Sequence, residues 1–314
     1  MALFHADVRP RMVRERKTPS RITARGGRIV TLAPAKVNFC LHVLRRRPDG
    51  YHDIESLAAP ISLYDRIEIR PTPGKKIRIF PDPEGSVPQG PENLAWKAAS
   101  ALFERFGTSF GLDIAIRKRI PVGAGLGGGS SDAAAVLLAV LRLLGTSMRA
   151  EELHGLATRL GADVPFFLVG RPAVMRGIGE RIEPFPGFRR RWLVLAWPGF
   201  SVSTAWAYRL FDVSLTKTRH PHKISRLSGT RGPAREVLSN DLEAVVVSVH
   251  PEVVRLKEEL LRLGAGGAAM TGSGPAVFGL FENKGAAQEA ARRLRKRGVW
   301  ARAVHTLGSP RGGR

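Results

Sequence analysis

The chain has a single cysteine, Cys40, among 314 residues. One thiol excludes an internal disulfide and a cysteine-built zinc or iron–sulfur centre, so Cys40 reads as a small core residue of a protein from a reducing compartment. No run approaches the roughly 18 apolar residues that a membrane-spanning helix needs. Aromatic residues are only 7% of the chain and are not interleaved with basic ones as a base-stacking nucleic-acid surface requires. Acidic residues are also scarce: 27 Asp and Glu face 50 Lys and Arg, a formal charge of +23. Such a field draws in polyanions, and equally nucleotides and phosphorylated metabolites.

Much of the excess is peripheral. Arg9, Arg11, Arg14, Arg16, Lys17, Arg21, Arg25 and Arg28 are opposed before residue 30 only by Asp7 and Glu15, and a second basic run spans Arg292 to Arg297. Residues 1–28 lack periodicity and large apolar side chains, the pattern of a disordered basic tail. No apolar stretch follows the basic start, so a secretory signal is not expected. A bacterial cytoplasmic location is expected, with a plastid as the alternative.

At roughly 150 residues per domain the length suggests two domains. Strand patterns cover Ile29–Leu32, Val37–Val43, Ile114–Ile120 up to Pro121, Trp192–Ala196 and Ala276–Phe281. Apolar and charged residues alternate over Ile67–Arg70 and Lys76–Phe80 around a Pro/Gly turn, predicting a hairpin. Helical spacing covers Asn93–Phe106, Ser130–Leu144, Glu151–Leu160, Asn240–Val249, Pro251–Leu263 and Ala286–Lys296. A polar, basic loop is expected at residues 215–232. Strand and helix do not alternate regularly, which predicts an α+β fold with mixed and antiparallel sheets rather than a doubly wound parallel one.

The segment Pro121-Val122-Gly123-Ala124-Gly125-Leu126-Gly127-Gly128-Gly129-Ser130-Ser131-Asp132 lies between a predicted strand and an Ala-rich helix. Five glycines in seven positions let several backbone N–H groups converge on one anion. The helix N-terminus behind them adds unpaired N–H groups and partial positive charge. Ser130 and Ser131 are placed to cap that helix and to offer hydroxyls to phosphate. Gly129 is followed by Ser130, not by Gly-Lys-Ser/Thr, which disfavours a Walker loop. Gly123, Gly125 and Gly128 do match Gly-x-Gly-x-x-Gly and keep dinucleotide binding open, although the surrounding βαβ unit is missing.

This loop resembles the ATP-binding motif of the GHMP kinases, the superfamily of galactokinase, homoserine kinase and mevalonate kinase. Ala33-Pro34-Ala35-Lys36-Val37-Asn38 resembles its N-terminal motif, and Met270-Thr271-Gly272-Ser273-Gly274-Pro275-Ala276 its C-terminal glycine loop. Within the superfamily, Arg47-Pro48-Asp49-Gly50-Tyr51-His52 and Gly161-Ala162-Asp163-Val164-Pro165-Phe166-Phe167 resemble one branch. Its members use ATP to phosphorylate 4-diphosphocytidyl-2-C-methyl-D-erythritol on the non-mevalonate route to isoprenoids. The likeness covers about Ile29 to Leu307, and Ala124 departs from it where some members carry another glycine.

The resemblance implies a two-domain GHMP kinase fold, with an ATP-binding domain over 29–174, a second over 175–307, a flexible tail at 308–314 and the active site in the cleft between. It implies ATP as phosphoryl donor, accompanied by Mg2+ without a dedicated carboxylate cage. Catalysis falls to Asp163 as base and to Lys36, which polarises the hydroxyl and meets the γ-phosphate. Residues Pro121 to Ser131 bind ATP. The acceptor is bound by Asn38, by Tyr51 and His52 at the cytosine, by Tyr208 through a looser likeness, and by Thr271, Gly272, Ser273 and Gly274. The expected partner is a small molecule, with no obligate nucleic acid and no membrane, and the chain acts as a monomer or homodimer. Read without the resemblance, Lys36 is a solvated lysine, Asp163 a turn or cap residue and Tyr51 a turn tyrosine after Asp49-Gly50. Two alternatives stand beside this one: another GHMP kinase of homoserine or mevalonate type, and a basic nucleic-acid-binding protein.

Overall fold

The structure is a computed structural model and describes residues 23–25, 27–214 and 238–308. The loop expected at 215–232, most of the basic tail and the last six residues lie outside them. In chain order the first half contains β1 (Thr23–Arg25), β2 (Arg28–Arg46), β3 (His52–Thr72), β4 (Ile77–Asp82), α1 (Leu94–Phe106), β5 (Gly111–Arg117), α2 (Gly128–Leu143), α3 (Ala150–Leu160) and α4 (Val164–Val169). There follow β6 (Ala173–Gly177), β7 (Arg181–Pro184), β8 (Trp192–Trp197), α5 (Thr204–Ser214), β9 (Ser239–Asn240), α6 (Asp241–Val249) and α7 (Glu252–Arg262). The chain closes with β10 (Gly267–Met270), β11 (Val277–Phe281), α8 (Lys284–Lys296) and β12 (Trp300–His305).

Two sheets carry the molecule. The first has eight strands, with β1-β2-β3-β5-β4 as its spine, β6 and β7 continuing from β3, and β9 beside β2. Its β4–β5 and β2–β9 pairs are parallel and the rest antiparallel. The second is the four-stranded antiparallel sheet β10-β11-β8-β12. This is the α+β class with mixed and antiparallel sheets that the sequence predicts.

The spine of the first sheet is the long β2–β3 hairpin. Its register slips at Pro34/Ala35, Asn38/Cys40 and Val43/Arg45. Such irregularities bend a strand and re-aim its side chains, and two of them bracket Lys36 and Asn38. The two halves of β3 serve different partners: Ile54–Ala58 pair with β6, and Arg66–Thr72 pair with β5.

Alternation buries both faces of this hairpin. On one side Ile67, Ile69, Ile114 and Ile116 pack against Ala98 and Leu102 of α1 and against Leu137 and Val140 of α2. On the other, Val37, Phe39 and Ile61 meet Leu193, Leu195 and Phe278 of the second sheet. The Phe39 and Phe278 rings meet edge to face at 5.6 Å. The far side of the second sheet is covered by α6, α7 and α8 through residues such as Leu242, Leu260 and Leu294. Cys40 is buried in the layer between the sheets, a core residue as its isolation suggests.

Four expectations need correction. The hairpin expected over 67–70 and 76–80 does not form, because β5 inserts between β3 and β4 and pairs with both. The strand expected to reach Pro121 ends at Arg117, where Asp65 takes over the backbone: its Oδ1 accepts the N–H groups of Arg119 and Ile120. The expected division at 174/175 falls inside β6, and the β6–β7 hairpin keeps the chain in the first sheet as far as Pro184. At the other end Thr23–Arg25 pair with Arg28–Val30, so the sheet begins before residue 29.

Candidate active site

A cleft of about 820 Å³ is lined by residues from both lobes. Its floor is the glycine-rich loop, whose carbonyl oxygens are tied back into the protein. Gly123 O accepts from Val202 N, Ala124 O from Ala276 N and Leu126 O from Lys36 N, at 3.0–3.2 Å. Among the described residues the N–H groups of Gly123 to Gly128 take no backbone acceptor. A loop with its carbonyls engaged and its N–H groups free is built to receive an anion. Gly123, Gly125 and Gly127 have φ of 65°, 77° and 71°, in the left-handed region that side chains avoid. No residue but glycine has positive φ among those described, so the alanine at Ala124 sits without strain.

Pro121 to Ser130 line the cleft. Ser131 does not: it is buried in the first turn of α2, and its Oγ has no hydrogen-bond partner among the described residues. The serine cap expected at this helix is also absent. Gly127 occupies the N-cap and no side chain caps there, since the left-handed turn begins the helix ahead of both serines.

At the centre, Lys36 Nζ lies 3.1 Å from Asp163 Oδ2 and donates to Asn38 Oδ1 at 2.9 Å. Lys36 and Asn38 share a face of β2, as their spacing of two requires. Asn38 completes its bonds by donating Nδ2 to Ser56 Oγ at 2.7 Å, so its carboxamide fixes Lys36. Asp163 stands at the N-cap of α4, yet its side chain makes no capping bond; it is turned to the cleft instead. Gly127 fits between Phe167 and Lys36, because a Cβ there would stand 2.9 Å from the Phe167 ring and 3.1 Å from Lys36 Cγ.

The C-terminal glycine loop closes this centre from the second lobe. Gly272 and Ser273 line the cleft, while Thr271 and Gly274 stand behind the wall. Thr271 is fully buried and its Oγ1 accepts Asn38 N at 3.0 Å, so it couples the two lobes. Asn240, at the N-cap of α6, donates Nδ2 to Met270 O at 2.9 Å and Gly272 O at 2.8 Å, fixing the loop from below. Next to it Asp241 accepts Val43 N and lies 3.5 Å from His42.

A third region gathers aromatic residues. Tyr51, 59% exposed, follows a turn in which Asp49 Oδ1 accepts its N–H, so it is a turn tyrosine and also part of the cleft. The His52 ring is buried and stacks on Tyr208 with centroids 4.9 Å apart. Its Nε2 bonds to Asp212 Oδ1 at 2.6 Å. Burial, with Asp163 and Asp241 adding to it, pushes the Tyr208 phenol well above its usual range.

Sequence reasoning missed several of these side chains. Thr204, Arg209 and Asp212 reach the cleft from α5 with Tyr208, and the spacing of four from Thr204 to Tyr208 to Asp212 is the one signal the sequence holds for them. Lys118 lines the cleft below the start of α2, held between Asp65 and Asp132 at 2.5 and 2.7 Å. Burial opposes the Lys118 charge, and the two carboxylates more than offset it and raise its pKa. Burial lifts Asp132 well above the usual carboxylate range despite Lys118. Nothing in the sequence pairs Asp65 with Lys118, because 53 residues separate them.

Comparison with known proteins gives the family. The GHMP kinases N terminal domain matches residues 93–171, and the GHMP kinases C terminal domain matches residues 226–299. The 4-diphosphocytidyl-2-C-methyl-D-erythritol kinase of Syntrophotalea carbinolica is 48% identical over 86% of this chain and 95% of its own length. The protein of the same name from Geobacter sulfurreducens is 48% identical over 88% of this chain and 98% of its own. A crystal structure of 4-(cytidine 5'-diphospho)-2C-methyl-D-erythritol kinase superposes with TM-score 0.74 at 40% identity, covering 89% of this chain and all of that one. The mevalonate kinase of Methanococcus jannaschii, 16% identical, shares the fold with TM-score 0.65 over 91% of this chain and all of its own. The chain belongs to the 4-diphosphocytidyl-2-C-methyl-D-erythritol kinase family of the GHMP kinases.

Proposed function

We propose that the chain transfers the γ-phosphoryl group of ATP to the 2-hydroxyl of 4-diphosphocytidyl-2-C-methyl-D-erythritol, giving the 2-phosphate and ADP in isoprenoid precursor synthesis. The observation that carries this reading is the Lys36–Asp163 pair, 3.1 Å apart, set beside a loop of free N–H groups in one cleft. A kinase of this kind needs little covalent chemistry from the protein and much positioning. The loop N–H groups and the N-terminus of α2 bind the ATP phosphates. Asp163 takes the proton of the 2-hydroxyl, whose oxygen then bonds to the γ-phosphorus as the bond to the ADP oxygen breaks. The Lys36 ammonium faces the charge gathering on the transferred group.

At the acceptor end Tyr51 stacks on cytosine, and Gly272 and Ser273 meet the diphosphate or erythritol part. The buried His52 ring supports this end from behind, leaving its backbone to read the base. Magnesium accompanies ATP: the oxygen donors beside the loop, the Ser130 hydroxyl and the Asp163 carboxylate, suit a hard cation that takes most of its ligands from phosphates and water. When bound it neutralises phosphate charge. We place the reaction in the bacterial cytoplasm, in a monomer or homodimer that needs no nucleic acid.

ADP release by the purified protein tests the reading, with magnesium-ATP and 4-diphosphocytidyl-2-C-methyl-D-erythritol, mevalonate or homoserine as acceptor. Turnover with the first alone is expected. Turnover with another acceptor only overturns the substrate, and silence with all three in a protein that binds ATP overturns the reaction.

A further inference from the structure

We propose that Asn240 is a positioning residue of this kinase: it turns the C-terminal glycine loop so that the backbone N–H groups of Gly272 and Ser273 meet the diphosphate of the acceptor. The inference rests on the substrate reading above and deepens it. Asn240 itself does not line the cleft. It stands behind the loop, where β9 pairs with Cys40 and Leu41 of β2 and α6 begins. Its carboxamide is fully engaged: Oδ1 accepts Leu242 N at 3.0 Å, and Nδ2 donates to Met270 O at 2.9 Å and to Gly272 O at 2.8 Å. This set asks for a nitrogen with two N–H donors beside an acceptor oxygen, and among side chains short enough to cap a helix only asparagine has both.

The bond to Gly272 O decides the direction of the next N–H. The peptide between Gly272 and Ser273 is trans, and a planar trans peptide points its N–H opposite to its C=O. With that oxygen drawn back toward α6, Ser273 N–H faces forward, to the side on which Gly272 and Ser273 line the cleft. The neighbouring groups are fixed as well. Glu243 Oε2 accepts Met270 N at 2.8 Å, Thr271 N donates to Ala276 O, and Thr271 O accepts Gly274 N. The Ser273 hydroxyl is tied to Thr204 Oγ1 at 2.9 Å. Gly272 N and Ser273 N are left, and neither takes a backbone acceptor among the described residues. Two successive free N–H groups suit an anionic oxygen. The diphosphate is the charged part of the acceptor, whereas the erythritol hydroxyls are neutral and gain less from fixed donors.

The experiment measures the affinities of CDP and cytidine by calorimetry at saturating magnesium-ADP, in the wild type, Asn240→Asp and Asn240→Ser. Both replacements still cap α6, and neither can donate to two carbonyls. The wild type is expected to bind CDP at least about tenfold more tightly than cytidine, the range for hydrogen bonds to a charged group. In both variants that ratio falls at least about fivefold, while cytidine and ADP bind within a few-fold of wild type. KM for the acceptor rises in step and KM for ATP holds. A merely structural role would weaken cytidine, CDP and ADP together, and that result overturns the assignment, as does a ratio left at its wild-type value. Should neither variant fold, amide NMR of the wild type decides. The Gly272 and Ser273 protons are expected to move downfield on adding CDP and to stay in place with cytidine, and protons that ignore CDP overturn the proposal. A wild type that binds neither CDP nor cytidine overturns the substrate reading and this assignment with it, whereas an unchanged ratio in the variants overturns only the role of Asn240.

Discussion

The ammonium of Lys36 and the carboxylate of Asp163 face each other at 3.1 Å, the lysine 6% and the aspartate 32% exposed. They come from β2 and from the start of α4, so the pair exists only once the first lobe is folded. If Asp163 is the base, Asp163→Asn lowers kcat by about 10²- to 10⁴-fold, the range of general base catalysis. ATP binding, read by calorimetry, is expected to stay within a few-fold of wild type. Lys36→Met lowers kcat comparably, and the double variant is expected to lose much less than the product of the single losses, since both act on one proton transfer. Near-normal turnover in Asp163→Asn would remove the base from the mechanism.

Tyr51 is 59% exposed and buries nothing in the core, which separates its role in binding from any role in folding. Tyr51→Ala is expected to leave thermal stability within about 0.5 kcal/mol of wild type, as for other surface substitutions. Loss of one stacked base costs about 1–3 kcal/mol. KM for the cytidine acceptor should therefore rise by about an order of magnitude while KM for ATP holds. Equal rises in both would make Tyr51 a turn residue and nothing more.

What could be read from the sequence, and what could not, divides along contact range. The glycine loop, Lys36, Asp163 and the Tyr51-His52 pair are carried by contiguous motifs, and the structure brings them into one cleft. Helices α1, α6 and α8 were legible in the helical spacing of their apolar residues, and in the structure an asparagine caps the start of each. The β4–β5 pairing was not, because a turn signal between two alternating segments says nothing of a third strand arriving between them. Thr271 was expected at the substrate and instead ties Asn38 to the second lobe, a bond across 233 residues. Asp212, Lys118 and Asn240 act through partners distant in sequence, and single residues of common type leave no local pattern.

His42 on β2 and Asp241 at the start of α6 join the two lobes near the C-terminal glycine loop. The Asp241 carboxylate, helped by the Cys40 thiol and opposed by burial, raises the His42 imidazole from 6.5 to about 9. A histidine that holds its proton more tightly when folded gives its full contribution below the unfolded value and loses it as pH climbs through the folded one. Stability measured by urea unfolding is therefore expected to fall between pH 6.5 and about 9, by up to about 3 kcal/mol. Asp241→Asn should flatten that slope and lower stability chiefly at the acidic end. A wild-type profile with no decline across this window would mean that the histidine is not charged in the folded protein.

Gly125 and Gly129 belong to the same loop and answer differently to a methyl group. A Cβ on Gly125 would stand 2.2 Å from Thr271 O and 2.8 Å from Gly274 N, with φ at +77°. Both obstacles are backbone of the opposite glycine loop, so neither can swing aside. Overpacking of this kind costs about 1–3 kcal/mol, and the left-handed conformation adds about 1–2. Gly125→Ala is therefore expected to lower the melting temperature by several degrees and to weaken ATP binding as the two loops part. Gly129 lies in α2, and the nearest atom to a Cβ there is Leu94 Cδ1 at 3.9 Å. Gly129→Ala should leave stability unchanged or raise it by up to about 1 kcal/mol, the helix propensity difference. Melting curves of the two variants side by side decide the point, because similar losses in both would show that the loop answers to added bulk anywhere and not to its contact with Thr271.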